Sequence, residues 1–361
     1  MVLVLTFFDN TYKRGYNFDV VKIFIFLEKI VLILAVESSC DETAVAVVKD
    51  GRKILSSVVN SQVKLHEKFG GVVPEIASRK HVEVIASLTE LALKEAKINF
   101  NGIDALAVTQ KPGLIGSLLV GVNFVKGISI ATGLPIVPVN HLKAHVAANY
   151  LEHKELEPPF LGVVASGGHT SIFEVLSYTN FKLIGNTRDD AIGETFDKVA
   201  RVIGIPYPGG KNLDNLAEKG DEKAYNFPIP KVTDSNYDMS FSGLKTSVIN
   251  FLNSMEKQKK EIIKEDLAAS FRKAAVENLV NKVMKAAIFL KYKSIVVSGG
   301  AAANILLRKK LKKECNYRNI KLFIPSLGLC SDNASMVGSQ GYYEFLKGNL
   351  ADLSLNALFR V

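Results

Sequence analysis

Cysteine is scarce in this chain: Cys40, Cys315 and Cys330 are odd in number and unclustered. That leaves no disulfide framework and no paired-cysteine zinc site, and it suits a reducing cytoplasm. Long uncharged apolar runs are lacking too. The stretch from Val20 to Val36 is interrupted by Lys22, Glu28 and Lys29, whereas a membrane span needs roughly 20 nearly uncharged residues. No membrane segment is expected, and neither early positive charge nor a small-residue cleavage site makes a convincing signal peptide. Two phosphate-binding fingerprints are missing as well. There is no G-x-x-x-x-G-K-[ST], and no two glycines lie two apart, which excludes the P-loop and the Rossmann dinucleotide turn.

What is present is a chain of 361 residues, 48% hydrophobic, long enough to bury a sizeable core as two subdomains. Forty-five Lys plus Arg against 36 Asp plus Glu leave a net charge of +9, which suits a polyanionic partner without requiring one. Residues 1–29 show no clear periodicity and read as an N-terminal extension of uncertain origin, a misassigned start being the simpler expectation. Organised sequence begins at Ile30.

Apolar runs predict strands at 30–36, 44–48 and 53–59, with Lys49-Asp50-Gly51-Arg52 as a hairpin turn between the last two. Helical spacing of Ile76, Val82, Ile85, Leu88 and Leu91 predicts a helix over 74–97. A strand at 103–109, a helix at 117–131 and a strand at 136–139 follow. A comparable order then restarts: strands at 160–165, 171–176 and 181–185, helices over 191–220, helices over 243–290, a strand at 294–297, a helix opened by Gly300 and a last helix from about Asp332. Residues 221–240, rich in Pro, Asn and Asp, read as a surface insertion. Three strands around a tight polar loop, then alternating helices and strands, thus occur twice, which points to an α/β fold of two related halves.

Two features carry chemistry. His141 and His145 lie four apart, so on a helix they share one face and can grip a metal ion. A peptidase of the H-E-x-x-H kind needs glutamate after its first histidine, and Leu142 stands there instead. The second feature is a set of glycine pairs. Gly167-Gly168 and Gly299-Gly300 each follow an apolar strand and a serine, where side-chain-free backbone can approach an anion. Around them, Asp197 can accept from a ribose or an amine, or simply sit on its helix surface. Asn304 can bond a base or sugar, or cap its helix. Asp332 opens the last helix as an N-cap or a third metal ligand. His66, His81 and His169 have no spaced partner and read as structural.

With these segments assembled, the chain resembles the tRNA N6-adenosine threonylcarbamoyltransferase family, formerly called O-sialoglycoprotein endopeptidases. The resemblance runs from about Val31 to the C-terminus. It rests on ESSCDET at 37–43, GGVVPEIASR at 70–79, NHLKAH at 140–145, SGGHT at 166–170, GETFDK at 193–198, YPGG at 207–210, SFSGLKT at 240–246 and SGGAAAN at 298–304. Lys211 departs from the proline that often follows the third of the four glycine pairs in the family.

The resemblance implies the actin/sugar-kinase/Hsp70-like duplicated fold, with a nucleotide cleft between a first subdomain (30–140 plus about 332–361) and a second (141–331). It implies transfer of a threonylcarbamoyl group from threonylcarbamoyl-AMP to N6 of adenosine 37 in tRNAs reading ANN codons. It further implies that His141, His145 and Asp332 bind one divalent metal, iron (Fe2+) or else zinc. Substrate would be held by Val164, Ala165, Ser166, Gly167 and Gly168, with Asp197, Gly210, Asp214 and Asn304. Partners implied are an inactive paralogue subunit and a small ATPase, in the cytoplasm. AMP is a good leaving group, so positioning and electrostatics suffice and no nucleophile is named. Arg308, Lys309, Lys310, Lys312 and Lys313 form a basic run that would draw a tRNA backbone, or else a solvated helix face. The competing expectations are a metal-dependent glycoprotein endopeptidase and a small-molecule kinase on the same fold.

Overall fold

The computed structural model describes residues 30–359; the extension at 1–29 lies outside the described residues. Strands β1 (Leu32–Glu37), β2 (Glu42–Lys49), β3 (Lys53–Ser61), β4 (Ala105–Lys111) and β5 (Ile136–Asn140) form one sheet in the order β3-β2-β1-β4-β5. Strands β6 (Phe160–Ala165), β7 (Thr170–Val175), β8 (Phe181–Asn186), β9 (Ser294–Ser298) and β10 (Lys321–Phe323) form another, ordered β10-β9-β6-β7-β8. The two orders are the same topology. In each, the first strand pairs antiparallel with the second and parallel with the fourth. The duplication expected from the sequence is therefore present strand for strand.

Local chemistry explains the elements. β1, β2 and β6 are almost wholly buried, because helices cover both faces, and they read as continuous apolar runs rather than alternating ones. The β2–β3 turn places Asp50 (φ 51°) and Gly51 (φ 64°) in the left-handed region, the geometry a tight twisted hairpin needs. Helix α1 (Pro74–Ala96) starts on a proline and ends at Lys97 in a left-handed cap. Helix α2 (Ile115–Thr132) is the one helix among the described residues with the length and apolarity of a membrane span; it lies on β4 and against α1.

The chain crosses between the halves twice. Helix α3 (His141–Ala147) leaves the end of β5, capped by the Asn140 side chain on the amides of Leu142 and Lys143. It packs Ala144 against the first sheet, but Leu142 and Val146 into the apolar cluster of Phe160, Val164 and Val296 in the second. Helices α4 (Ile192–Val202), α5 (Gly209–Ala217), α6 (Ser242–Lys257), α7 (Lys264–Phe289) and α8 (Ile305–Tyr317) belong to the second half. After β10 the chain returns through helix α9 (Ala334–Leu346), which packs on α3 and on β1 and β2. Arg52 from the first hairpin adds a lock between the halves. Its guanidinium donates to the carbonyls of His153 and Leu156 at 3.2 and 3.1 Å and lies 4.9 Å from the Tyr150 ring centroid.

Three expectations are corrected. Residues 221–240 are not merely a surface insertion, since Phe227 and Met239 are buried in the second core and Met239 bridges to Thr187. Gly300 opens a 3-10 turn (Gly300–Ala303), not an α-helix; α8 starts later, capped by Asn304 on the amide of Leu307 at 2.9 Å. The last helix starts at Ala334 and is capped by Asn333, not Asp332. The three-residue β10 was not expected, because so short a strand has no periodicity to read.

Candidate metal centre and cleft

Because α3 begins where β5 ends, its first turn stacks His141 over His145, with ring centroids 4.6 Å apart. Asp332 comes from the far side of the chain, in the loop that leads into α9. Its Oδ1 lies 3.1 Å from His145 Nε2 and 3.5 Å from His141 Nε2, and one donor atom from each residue falls within 4.8 Å of the others. Asn333 performs the capping, its Oδ1 accepting from Met336 N at 3.0 Å, so the Asp332 carboxylate is left to face the histidines.

His145 is fully buried, yet neither of its ring nitrogens has a hydrogen-bond partner. Asp332 Oδ1 faces Nε2 at 3.1 Å as an ion-pair contact. A buried nitrogen without a hydrogen bond is costly in a folded protein, and an ion seated between the three side chains would satisfy Nε2. His141 is oriented from behind: its Nδ1 meets Glu37 Oε2 at 3.1 Å and Ser39 Oγ at 3.2 Å, and Glu37 in turn accepts from Thr109 Oγ1 at 2.7 Å. A carboxylate behind a ligating imidazole is the usual outer support of a metal site. Two imidazole nitrogens and one carboxylate fit a divalent transition ion with positions left open for substrate. Reading the sequence assigned Glu37 no role, although it opens the ESSCDET segment at the end of a buried strand.

The electrostatics agree with a cation. Burial works against a charged His141, but the Asp332 and Glu37 carboxylates outweigh it and push the imidazole up to about 9. Burial likewise opposes ionisation of Asp332 and Glu37, and the facing histidines hold both below the ordinary carboxylate range. Glu42 is pushed up to about 10 by burial and by the charges of Asp332 and Asp41. Burial, then His141 and His145, push His169 down to about 4. His66 and His81 have structural partners: Gln62 for the first, Thr43 and the Cys40 carbonyl for the second.

The glycine loops lie at the ends of the second sheet's central strands. After the buried Val164 and Ala165, the Ser166 amide donates to the His169 carbonyl at 2.8 Å and the His169 amide to Ser166 Oγ at 3.1 Å. This tight turn leaves Gly167 and Gly168 exposed, and a Cβ added to either meets nothing within 4 Å. Gly299 is different: at φ 92°, its Cβ would sit 2.4 Å from the Ala165 carbonyl oxygen. Asp197 on α4 accepts from the Gly210 amide at 2.8 Å, and burial raises its carboxyl against the lowering effect of that bond. Asp214 accepts from Asn304 Nδ2 and from Arg272 Nη1, both at 2.8 Å, and from the Ile305 amide at 2.9 Å. The expected substrate residues outside the loop thus form two bonded pairs, Asp197–Gly210 and Asp214–Asn304.

Asp197 reaches its place on α4, which packs on the first glycine loop. Gly193, in the first turn of α4, has its Cβ direction blocked by the Ser166 carbonyl at 2.7 Å. A cleft of about 280 Å³ joins the halves, lined by Glu67, Phe69 and Gly70 on one side and by Asp197, Arg201 and Tyr207 on the other. Arg201 closes it by donating to the Gly70 carbonyl. A larger open groove of about 860 Å³ runs along β10, lined by His153, Lys312 and Lys321, and holds none of the expected site residues.

Comparison with known proteins gives the family and the fold. The profile of the tRNA N6-adenosine threonylcarbamoyltransferase family matches residues 53–339. A relative of that name from Clostridium perfringens (strain SM101 / Type A) is 51% identical over 326 residues, covering 90% of this chain and 96% of its own. One from Clostridium botulinum (strain 657 / Type Ba4) is 50% identical over the same shares. Among solved structures, HypF from T. kodakarensis superposes with a TM-score of 0.62 at 15% identity, over 91% of this chain and 49% of that one. This chain therefore spans about half of that protein. Component A of the Acidaminococcus fermentans (R)-2-hydroxyglutaryl-CoA dehydratase gives 0.53 at 16% identity, over 88% and 98%. At such identities these structures speak to the fold, which is the actin/sugar-kinase/Hsp70-like duplicated α/β fold. With half of all aligned residues shared along nearly the full length of named relatives, the chain belongs to the tRNA N6-adenosine threonylcarbamoyltransferase family.

Proposed function

We propose that the family's reaction, formation of threonylcarbamoyladenosine in tRNA, is carried out here at the meeting of α3, Asp332 and the Gly167-Gly168 loop. The donor is threonylcarbamoyl-AMP and the acceptor is N6 of adenosine 37 in tRNAs reading ANN codons. The observation that carries this reading is the convergence of His141, His145 and Asp332, with the His145 ring fully buried and its Nε2 turned to the Asp332 carboxylate. These three residues hold one divalent ion, iron(II) as the expected ion and zinc as the alternative. Bound there, the ion supplies Lewis-acid polarisation of the carbamoyl group.

The chain's own residues do the rest. Glu37 fixes the His141 ring so that Nε2 faces the ion. The segment Val164, Ala165, Ser166, Gly167 and Gly168, open at its two glycines, lies against the adenylate, with Gly210, Asp197 and Asn304 on its sugar side and Asp214 holding Asn304 in place. The first subdomain, 30–140 plus 332–361, and the second, 141–331, close on this substrate. AMP leaves without a covalent enzyme intermediate.

The partners of this reading are an inactive paralogue subunit, for which Ile115 and Ile130 at the two ends of α2, 46% and 70% exposed, are candidate contacts, and a small ATPase completing the assembly. Of the basic run on α8, Arg308 turns inward and Lys310 pairs with Glu277. Lys309, Lys312 and Lys313 stay exposed to meet tRNA phosphates. Chemistry on tRNA places the protein in the cytoplasm. Leu142 in place of a glutamate argues against the endopeptidase, and named relatives at about 50% identity argue against a kinase. Assay of the chain with its partners separates the three. AMP release with modified adenosine in the tRNA is expected; peptide cleavage or ADP formation without it defeats the reading.

A further inference from the structure

Arg308 joins two parts of the site that the sequence keeps apart. Its Nε donates to the Ala302 carbonyl at 2.7 Å, in the turn that follows Gly299. Its Nη2 donates to the Pro325 carbonyl at 2.7 Å and to Cys330 Sγ at 3.2 Å. Pro325 and Cys330 bracket the single helical turn Leu327–Cys330, and Cys330 is buried two residues before Asp332. Asp332 thus hangs on a short segment held at one end by Arg308 and at the other by the Asn333 cap of α9.

We infer that Arg308 is a positioning residue that couples the second glycine loop to the metal carboxylate, so that nucleotide and metal each tighten the binding of the other. The inference rests on the metal site proposed above. The planar fork of arginine carries its donors on separate atoms, Nε toward Ala302 and Nη2 toward Pro325 and Cys330, a spread that the single nitrogen of a lysine does not span. Without it, the Ala302 and Pro325 carbonyls lose their charged donor, and the 325–332 segment is free to shift Asp332 relative to His145. Coupling of this kind is reciprocal by linkage: if AMP in the glycine loops steadies Ala302, it steadies Asp332 through Arg308, and the ion does the converse.

Cobalt(II) titration of the full chain, followed by its d–d absorption with and without AMP, tests this. AMP should tighten cobalt binding to the wild type. Arg308→Gln should weaken cobalt about 10–100-fold, the usual effect of removing an outer support, and abolish the response to AMP. Arg308→Lys should not restore that response. His145→Ala serves as the reference. Loss of cobalt there with an unchanged Arg308→Gln overturns the Arg308 inference alone, whereas retained cobalt in His145→Ala overturns the metal site itself. Wild-type cobalt affinity indifferent to AMP also overturns the coupling. Should Arg308→Gln fail to fold, Cys330→Ala removes one of the three contacts. Weaker cobalt at an unchanged metal-free melting temperature supports the inference, and unchanged cobalt overturns it.

Discussion

The loop after β1 and the loop after β6 occupy the same place in the two copies of one topology, and they have opposite solvation. In the first, Glu37, Ser38 and Ser39 are at most 2% exposed, and Ser38 Oγ donates into α2 at the Ser117 carbonyl. In the second, Gly167 and Gly168 stand open. A duplicated fold brings two equivalent loops to one cleft. Here one loop is filled with polar side chains that brace a metal ligand, and the other is stripped to backbone that can lie against a substrate. The division of labour is written in side-chain volume: a buried carboxylate on one side, no Cβ on the other.

The largest expected effect comes from removing what the two loops jointly serve. His145→Ala or Asp332→Ala should cost at least ~100-fold in tRNA modification, more than the loss of an outer support, together with loss of bound metal measured by elemental analysis. Full activity in either variant would break the division, since the first loop would then be bracing nothing. Glu37→Gln comes next. It keeps the shape and removes the charge behind His141, so metal affinity should fall about 10–100-fold, and the metal-free protein should also melt lower because the buried Glu37–His141 pair is broken. A large loss of stability with unchanged metal affinity would make the first loop a core feature only.

Glycine substitutions sharpen the other side. Gly299→Ala meets the Ala165 carbonyl in a left-handed backbone and should destabilise by about 2–3 kcal/mol in urea melts. Gly167→Ala meets nothing, so stability should stay within about 0.5 kcal/mol, while KM for the adenylate rises. Gly167→Ala with an unchanged KM would show that the open loop does not touch substrate.

Much of this arrangement was legible in the sequence, and the rest was hidden for physical reasons. Phe160–Ala165 and the other central strands announce themselves as buried apolar runs, and helical spacing alone brings His141 over His145. Asp332 was ambiguous, because a carboxylate heading a helix serves equally as a cap; the neighbouring Asn333 takes that role only in three dimensions. Glu37 was unreadable as a partner of His141, 104 positions away. Arg308 looked like one more charge in a basic run, although its partners lie up to 22 residues further along the chain. Phe227 and Met239 were masked by the polar residues around them.

The smallest effect concerns the prop behind the first loop. His81 sits on α1, its Nε2 bonded to the Cys40 carbonyl at 3.0 Å and its Nδ1 to Thr43 Oγ1 at 2.7 Å. In that pairing the neutral imidazole donates from Nε2 and accepts at Nδ1, so both nitrogens are satisfied without a charge. Burial is the chief reason its pKa lies below the ordinary histidine value, despite the raising effect of the Cys40 carbonyl. A depressed histidine contributes stability that is present above the unfolded value near 6.5 and is lost as pH falls below it, because the unfolded chain then binds the extra proton. The metal-free protein should therefore lose stability on acidification from pH 7.5 to 5.5, by no more than about 1.4 kcal/mol per pH unit from this group. His81→Gln should flatten that slope, read as the shift of urea midpoint between the two pH values. Equal slopes in the two proteins would mean that His81 does not carry the proton linkage, and that the first loop is held by Glu37 and its serines alone.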